Sequence, residues 1–171
     1  MRSFEEIRFR LRQEVMNAVL RVRPPEPRLS AKSLANVLPD PGNVARQLQA
    51  TSYAAEVERL ANGIVEHRFP LLGVEIVTGP IIRWRRDYIN DVETPALYFR
   101  RIPYLDRERA GDHKNIWELN RHQHLVLLAQ ASVLTGRREF INVIERHLSD
   151  WFEQNPFQCG INWASALEVA F

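Results

Sequence analysis

Apolar residues in the first part of the chain recur every four residues, which is the spacing of one helix face. The pattern predicts a helix over residues 4–21, packed against the rest of the protein or, alternatively, lying on a membrane surface. Ser3 and Glu6 have the sequence of a capping box at its start. The segment RVRPPEP ends the helix, because proline has no amide hydrogen to donate. We therefore predict an N-terminal helix with a proline-rich connector over residues 1–29 and a second domain over residues 30–171.

The middle of the chain is less periodic. Apolar positions predict a helix near residues 52–67, and the alternation from Leu72 to Ile76 predicts a short strand or extended segment. LPDPGN, at residues 38–43, predicts a turn. A long irregular stretch follows, whose arginines are interpreted either as solvated and paired with nearby carboxylates or as an anion-binding surface. Those carboxylates are Asp87, Asp91 and Glu93.

The last third of the chain has the clearest helical pattern. Residues from Asn115 onward predict one helix ending at the turn of Gly136, then a second helix ending at Asn155 before a proline. Together they predict an antiparallel helical hairpin. Asn162 is predicted to be the N-cap of a third helix. The fold class predicted from these elements is mainly α, with short extended segments near residues 70–100.

Composition narrows the classes of function. The 171 residues include 23 basic and 21 acidic side chains, a balance that argues against a nucleic-acid partner. Most of the basic residues are arginines, which suit carboxylates, sulfates and phosphates. No apolar run has the length of a signal peptide or membrane span, so we predict no transmembrane segment and a cytoplasmic location. His122 and His124 are two residues apart and face different sides of a helix, so we predict no metal site, and no motif predicts a cofactor.

Three segments resemble one known family. WELNRHQHLVLLAQASVLTGRREF, WFEQNP and GINWASALEVAF, within residues 113–171, are similar to the N-terminal domain of heparinase II/III-like polysaccharide lyases, which include heparin-sulfate and alginate lyases. MRSFEEIRFRLRQEV resembles the start of bacterial members with exopolysaccharide functions. The resemblance implies part of an (α/α) toroid of antiparallel helical hairpins over residues 30–171, incomplete at its C-terminus. In the family a β-sandwich domain follows the toroid.

The same resemblance implies an activity and a partner. Such lyases cleave uronate-containing acidic polysaccharides by β-elimination, which requires neutralisation of the carboxylate, a base and an acid. The catalytic residues are expected beyond Phe171, so the fragment itself is expected to be inactive. The missing C-terminal toroid and β-sandwich regions are its implied structural partners. Family members also act in the periplasm or outside the cell, which is the alternative to a cytoplasmic location.

Six residues are candidates for binding substrate. On one continuous helix, the first four would form a polar stripe that opens on the sugar groove, where a tryptophan stacks on a pyranose ring and the arginine and histidine hold carboxylate or sulfate. The other two would lie at the mouth of the next helix. The competing interpretation is a buried network, with Glu118 and Arg121 as an ion pair, an asparagine cap and a core tryptophan. The six candidates are Trp117, Asn120, Arg121, His124, Asn162 and Trp163.

Two other functions are consistent with the helical pattern. The segment HLVLLAQASVLTGRREFINVIERHL also has the form of one unit of a TPR-like array, which would bind a protein partner. A second copy at the required spacing of about 34 residues is not found in the sequence, which disfavours this interpretation. The third hypothesis is a non-catalytic carbohydrate-binding protein that keeps the groove without the chemistry.

Overall fold

The first unit of the chain contributes one amphipathic helix. The structure, a computed structural model, describes residues 3–24 and 39–169 and divides the chain into compact units Met1–Ala35 and Asn36–Phe171. Helix α1 spans Phe4–Val22, which confirms the predicted helix. The Ser3 hydroxyl accepts a hydrogen bond from the Glu6 amide at 3.2 Å, as the capping sequence predicts. Within this described helix no residue is buried, and its apolar stripe is exposed.

Four helices form the main body of the second unit. They are α2 (Pro41–Leu48), α3 (Ser52–Val65), α6 (Gln123–Thr135) and α7 (Glu139–Gln154). Helix α6 packs against the other three, and their apolar faces enclose the larger core. The Asp40 carboxylate accepts from the amides of Gly42 and Asn43, so the predicted turn at PDPGN is instead the capped start of α2. The first residue of the segment LPDPGN lies outside the described residues.

A β-hairpin follows α3. Strand β1 (Arg68–Leu71) pairs antiparallel with β2 (Val74–Val77), with Arg68 opposite Val77. Leu72 and Gly73 form the turn, both with positive φ. The prediction of an extended segment over residues 72–76 is therefore correct in part. Residues 72 and 73 form the turn of the hairpin, and the strand begins only at residue 74. Phe69 and Ile76 bring this hairpin into the core.

The arginine-rich stretch is folded around one buried carboxylate. It contains β3 (Arg86–Asp87), β4 (Val92–Glu93), a 3₁₀ turn at Phe99–Arg101 and α4 (Arg107–Ala110). Asp87 is fully buried and accepts hydrogen bonds from the amides of residues 89, 90 and 112 and from the side chains of Asn90 and Asn115. This carboxylate consequently organises the loop and is not the arginine partner that the sequence suggested.

Two arginines of this stretch do form the predicted ion pairs. Arg83 pairs with Glu93, and Arg86 pairs with Asp91. Both pairs hold the short β3–β4 ladder, in which residue 86 lies opposite residue 93. The structure therefore supports the interpretation of these two side chains as paired with nearby carboxylates.

The prediction of one helix from Asn115 to the turn at Gly136 is wrong. Helix α5 spans His113–Asn120, and α6 begins only at Gln123. Between them His122 has φ 57° and ψ 22°, a left-handed conformation that cannot continue a right-handed helix. The side chains before and after this break therefore do not share one helix face.

The rest of the C-terminal region agrees in part with prediction. The hairpin of α6 and α7, joined through Gly136 with φ 74°, is confirmed, as is the end of α7 before Asn155. Asn162, however, lies inside a 3₁₀ turn at Ile161–Trp163 and caps no helix. Helix α8 is short, Ala166–Val169. Across residues 3–24 and 39–169, no helix combines the length and apolar character needed to cross a membrane.

Candidate functional site

A pocket of about 310 Å³ lies where the break between α5 and α6 meets the second half of α7. The 3₁₀ turn at Ile161–Trp163 and helix α8 complete its wall. We call it the amide pocket, because two asparagines form part of its lining. Its lining residues are Asn120, His122, Leu148, Trp151, Phe152, Asn162, Trp163 and Glu168.

The side chain of Asn120 is held in one orientation by four hydrogen bonds. Its Nδ2 donates to the carbonyl oxygens of Trp84 at 2.8 Å and Ile116 at 2.7 Å. Its Oδ1 accepts from Trp151 Nε1 at 2.7 Å and from Asn162 Nδ2 at 2.8 Å. All the hydrogen-bonding capacity of this buried amide is therefore used within the protein, which fixes its orientation.

Asn162 is held by two other amides. Its Nδ2 donates to Asn120 Oδ1 and to Asn155 Oδ1, the latter at 2.9 Å. Asn155 in turn donates to the Trp151 carbonyl at 2.9 Å. The chain of asparagines thus ties the end of α5, the end of α7 and the 3₁₀ turn together, and it turns Asn162 into a rigid part of the pocket wall.

Three polar atoms of the lining residues are buried and have no hydrogen-bond partner within the described part of the chain. They are Asn162 Oδ1, Trp163 Nε1 and His122 Nδ1. An amide oxygen accepts, an indole nitrogen donates, and an imidazole nitrogen does either according to its tautomer. Buried polar groups are normally satisfied, so these three atoms are exceptions among the lining residues, and each is enclosed by the surrounding protein.

Aromatic rings surround these polar atoms. Trp151 and Trp163 are half-buried and Phe152 is exposed. The Trp163 ring is held edge-on against Phe157 at 4.9 Å between centroids, and the Trp151 ring contacts His122 at 5.3 Å. Aromatic walls with a few oriented polar groups are typical of pockets for small polar molecules.

The charged side chains beside the pocket form an ion-pair cluster of one arginine and two glutamates. Arg121 donates through Nε and Nη2 to both oxygens of Glu168, at 3.0 and 2.9 Å, and through Nη1 to Glu118 at 2.8 Å. The hydrogen bonds to Glu168 raise the pKa of Arg121 above its usual value. One cation is therefore shared by two carboxylates, which leaves a net charge of −1 for the three side chains.

His124 lies away from the amide pocket, in the core. Its ring packs edge-on against Phe69 at 5.2 Å and contacts His147 at 5.4 Å and Trp84 at 5.9 Å. Burial, together with the smaller effect of the neighbouring imidazoles of His147 and His122, lowers its pKa to about 2. It is neutral at physiological pH, so it offers no positive charge to a carboxylate or sulfate.

His122 and His147 extend this group of buried imidazoles. Burial lowers the pKa of each to about 4, and Arg146 contributes to the shift at His147. His122 Nδ1, His124 Nε2 and both ring nitrogens of His147 have no hydrogen-bond partner among the residues that the structure describes. Over the same residues, no group of histidine, cysteine and carboxylate side chains has the arrangement of a metal site.

Trp117 also lies outside the amide pocket. Its indole Nε1 donates to the Ile161 carbonyl at 3.2 Å, and its ring contacts His113 at 4.6 Å and Tyr104 at 6.2 Å. Ile161 belongs to a second, smaller core, and Tyr104 and Trp117 pack against it. Trp117 is therefore a half-buried side chain that packs and donates a hydrogen bond at the edge of this smaller core.

Three of the six candidates thus lie together in one pocket. Asn120, Asn162 and Trp163 line it directly, and Arg121 is adjacent through its carboxylate partner. The sequence interpretation missed His122, considered there only for metal binding, and Trp151, which lies within the predicted second helix of the hairpin. No family model, curated protein or solved structure matches the chain.

Proposed function

We propose that the chain is the N-terminal helical part of a heparinase II/III-like polysaccharide lyase and that the amide pocket binds one sugar ring of its acidic polysaccharide. The aromatic wall of the pocket, formed by Trp151, Phe152 and Trp163, is the observation that carries the binding proposal. Sugar hydroxyl groups donate and accept hydrogen bonds, and the apolar face of a pyranose packs on an aromatic ring. The pocket places aromatic rings beside the polar side chains of His122 and Glu168.

The helical architecture supports the wider proposal. Helix α6 packs against α3 and forms a hairpin with α7. Stacked antiparallel hairpins are the building units of an (α/α) toroid, which is the finer fold we propose. Several apolar residues of α2, α3 and α6 are exposed along one groove, as expected of a surface that further helices cover. We assign the elimination chemistry to residues beyond Phe171.

Binding is tested with the full chain of 171 residues by electrophoresis through gels that contain alginate, hyaluronan, heparan sulfate or neutral dextran. We expect at least one acidic polysaccharide to retard the protein and Trp163→Ala to weaken that binding about tenfold or more, through loss of an aromatic ring from the pocket wall. Phe9→Ala is the matched control, since it removes an exposed aromatic ring from α1. Equal retardation of both variants contradicts the assignment of the pocket.

The lyase assignment has a separate test. The intact mass of the protein from its natural source gives its native length, and the ultraviolet absorbance of unsaturated uronate products reports β-elimination. We expect a longer native chain that releases such products from a polymer that the 171-residue chain binds. A native protein that binds polysaccharide but releases no product would favour the carbohydrate-binding hypothesis over a lyase.

A further inference from the structure

Helix α1 carries an exposed apolar stripe. Its side chains recur at intervals of three or four residues, so they lie on one face of the helix. Each is between 48% and 81% exposed, and no residue of this helix is buried. A stripe that runs along all 19 residues of a helix is typical of a surface that packs against another element. The six stripe residues are Phe4, Ile7, Leu11, Val15, Val19 and Val22.

The stripe has the same spacing when it is read from either end of the helix. Its intervals are three, four, four, four and three residues, so it is symmetric about Gln13. When a second α1 helix runs antiparallel beside the first, with the two Gln13 positions at the same level, every stripe residue lies level with a stripe residue of the other copy. Such self-complementarity is what a two-fold interface requires. The facing pairs are Leu11 with Val15, Ile7 with Val19, and Phe4 with Val22.

The charges at the two ends of α1 favour the antiparallel direction. Its first turn is acidic, with Glu5 and Glu6. Its last turn is basic, with Arg21, and Arg23 follows as the C-cap. Antiparallel helices place the acidic end of each copy beside the basic end of the other, and their dipoles attract. A parallel pair would bring like charges together at both ends.

We propose that two copies of the chain associate through their α1 helices, which pack antiparallel about a two-fold axis at the level of Gln13. A membrane surface would give no reason for a stripe that is symmetric about its centre. Helices of 19 residues are about 28 Å long. A pair of that length buries an area at or below the low end for stable interfaces, which is about 1,200 Å² in total. The dimer is accordingly weak, with an expected dissociation constant on the order of 10–100 μM.

Sedimentation velocity of the full chain of 171 residues, over about 5–500 μM, measures this association. We expect the sedimentation coefficient to rise with concentration from the monomer value toward that of a dimer. Leu11→Glu and Val15→Lys should each weaken the association at least about tenfold, because they place charges at the centre of an apolar interface. Phe9→Glu is the matched control, since Phe9 is also exposed but lies on another side of the helix, two residues from Leu11. It should change the dissociation constant less than about twofold.

The double variant with Leu11→Glu and Val15→Lys in one chain tests the direction of the pair. In an antiparallel dimer the new carboxylate at position 11 faces the new ammonium group at position 15 of the other copy, twice. The double variant should therefore associate at least about fivefold more tightly than either single variant. A parallel dimer would bring like charges together at both positions, so weaker association of the double variant overturns the antiparallel arrangement. Circular dichroism of every variant verifies that the helices are intact.

The remaining outcomes identify another partner for the stripe, and each overturns the proposal. A chain that stays monomeric to about 500 μM forms no such dimer. If that monomer binds vesicles of phosphatidylcholine and phosphatidylglycerol and Leu11→Glu abolishes the binding, a membrane covers the stripe. If Leu11→Glu lowers the free energy of unfolding of the monomer more than Phe9→Glu does, the stripe is covered within one chain. A dimer that both variants weaken equally has its interface elsewhere.

Discussion

Mild acid should destabilise this protein strongly, because several histidines are buried in the neutral form. His124 and His147 are 5% and 2% exposed, and His122 packs beside them against Trp84. In the folded protein the pKa values are about 2 for His124 and about 4 for the other two. The ordinary value in an unfolded chain is about 6.5. Below that pH the unfolded chain takes up protons that the folded chain does not.

The size of this loss of stability follows from the linkage between proton binding and folding. A histidine with a lowered pKa contributes its full stability above about pH 6.5 and loses it as the pH falls toward the folded value. For an unfolded pKa of 6.5 and a folded value near 4, the loss between pH 7 and pH 5 is about 2 kcal/mol per histidine. Three such groups give about 6 kcal/mol as an upper limit. That is comparable with the whole stability of an ordinary domain, so acid unfolding is expected near pH 5.

Neighbouring charges act on this group in both directions. Arg146 and His67 disfavour a second positive charge near His147, whereas Asp150 favours it. Asp150 is itself occupied, because it accepts the indole hydrogen bond of Trp84 at 2.9 Å. Asp150, the carboxylate that acts on His147, is therefore shared with Trp84, and burial remains the larger cause of the shifts.

The assay is urea denaturation followed by tryptophan fluorescence, at about pH 7 and about pH 5, to compare free energies of unfolding. His124→Leu should reduce the difference between the two pH values by about 2 kcal/mol, since it removes one titrating group. Leu127→Ala, on the same helix, should lower the free energy of unfolding equally at both. If the native protein has the same free energy at both pH values, the imidazoles are not buried as described and the reasoning fails.

Two further predictions concern the loop around Asp87 and use denaturation at about pH 7. Asp87→Asn places a donor where amide hydrogens already point, so it should lower the free energy of unfolding by about 2–4 kcal/mol. The control Asp91→Asn changes an exposed carboxylate and should lower it by less than about 1 kcal/mol. Equal losses for the two variants would contradict the buried carboxylate network. Gly111→Ala places a Cβ 2.8 Å from the Asp87 Cβ. It should lower the free energy of unfolding by at least about 1 kcal/mol more than Gly79→Ala, because Gly79 also has a positive φ but a Cβ there meets no atom within 4 Å. A smaller difference would mean that the loop moves without cost.

Apolar spacing predicted the helices well, because α1, α3, α6 and α7 each bury or expose one regular stripe. It failed where a distant group decides the local structure. The spacing of residues from Trp117 to His124 predicts one continuous helix. In the structure, however, Asn120 donates a hydrogen bond to the carbonyl of Trp84, 36 residues earlier in the chain, a contact that local spacing does not reveal. The amide pocket could not be predicted from local sequence either, because Asn120 and Asn162 are 42 residues apart in the chain and meet only in the folded protein.

The break between α5 and α6 explains why the polar stripe changes to an apolar one. On a continuous helix, Asn120 and His124 are four residues apart and share one environment. With His122 in the left-handed conformation, Asn120 lines the amide pocket and His124 enters the core beside Phe69. That conformation costs about 1–2 kcal/mol for a residue other than glycine. The fold offsets this cost through the amide bonds of Asn120, and one strained residue thereby separates the proposed sugar site from the core.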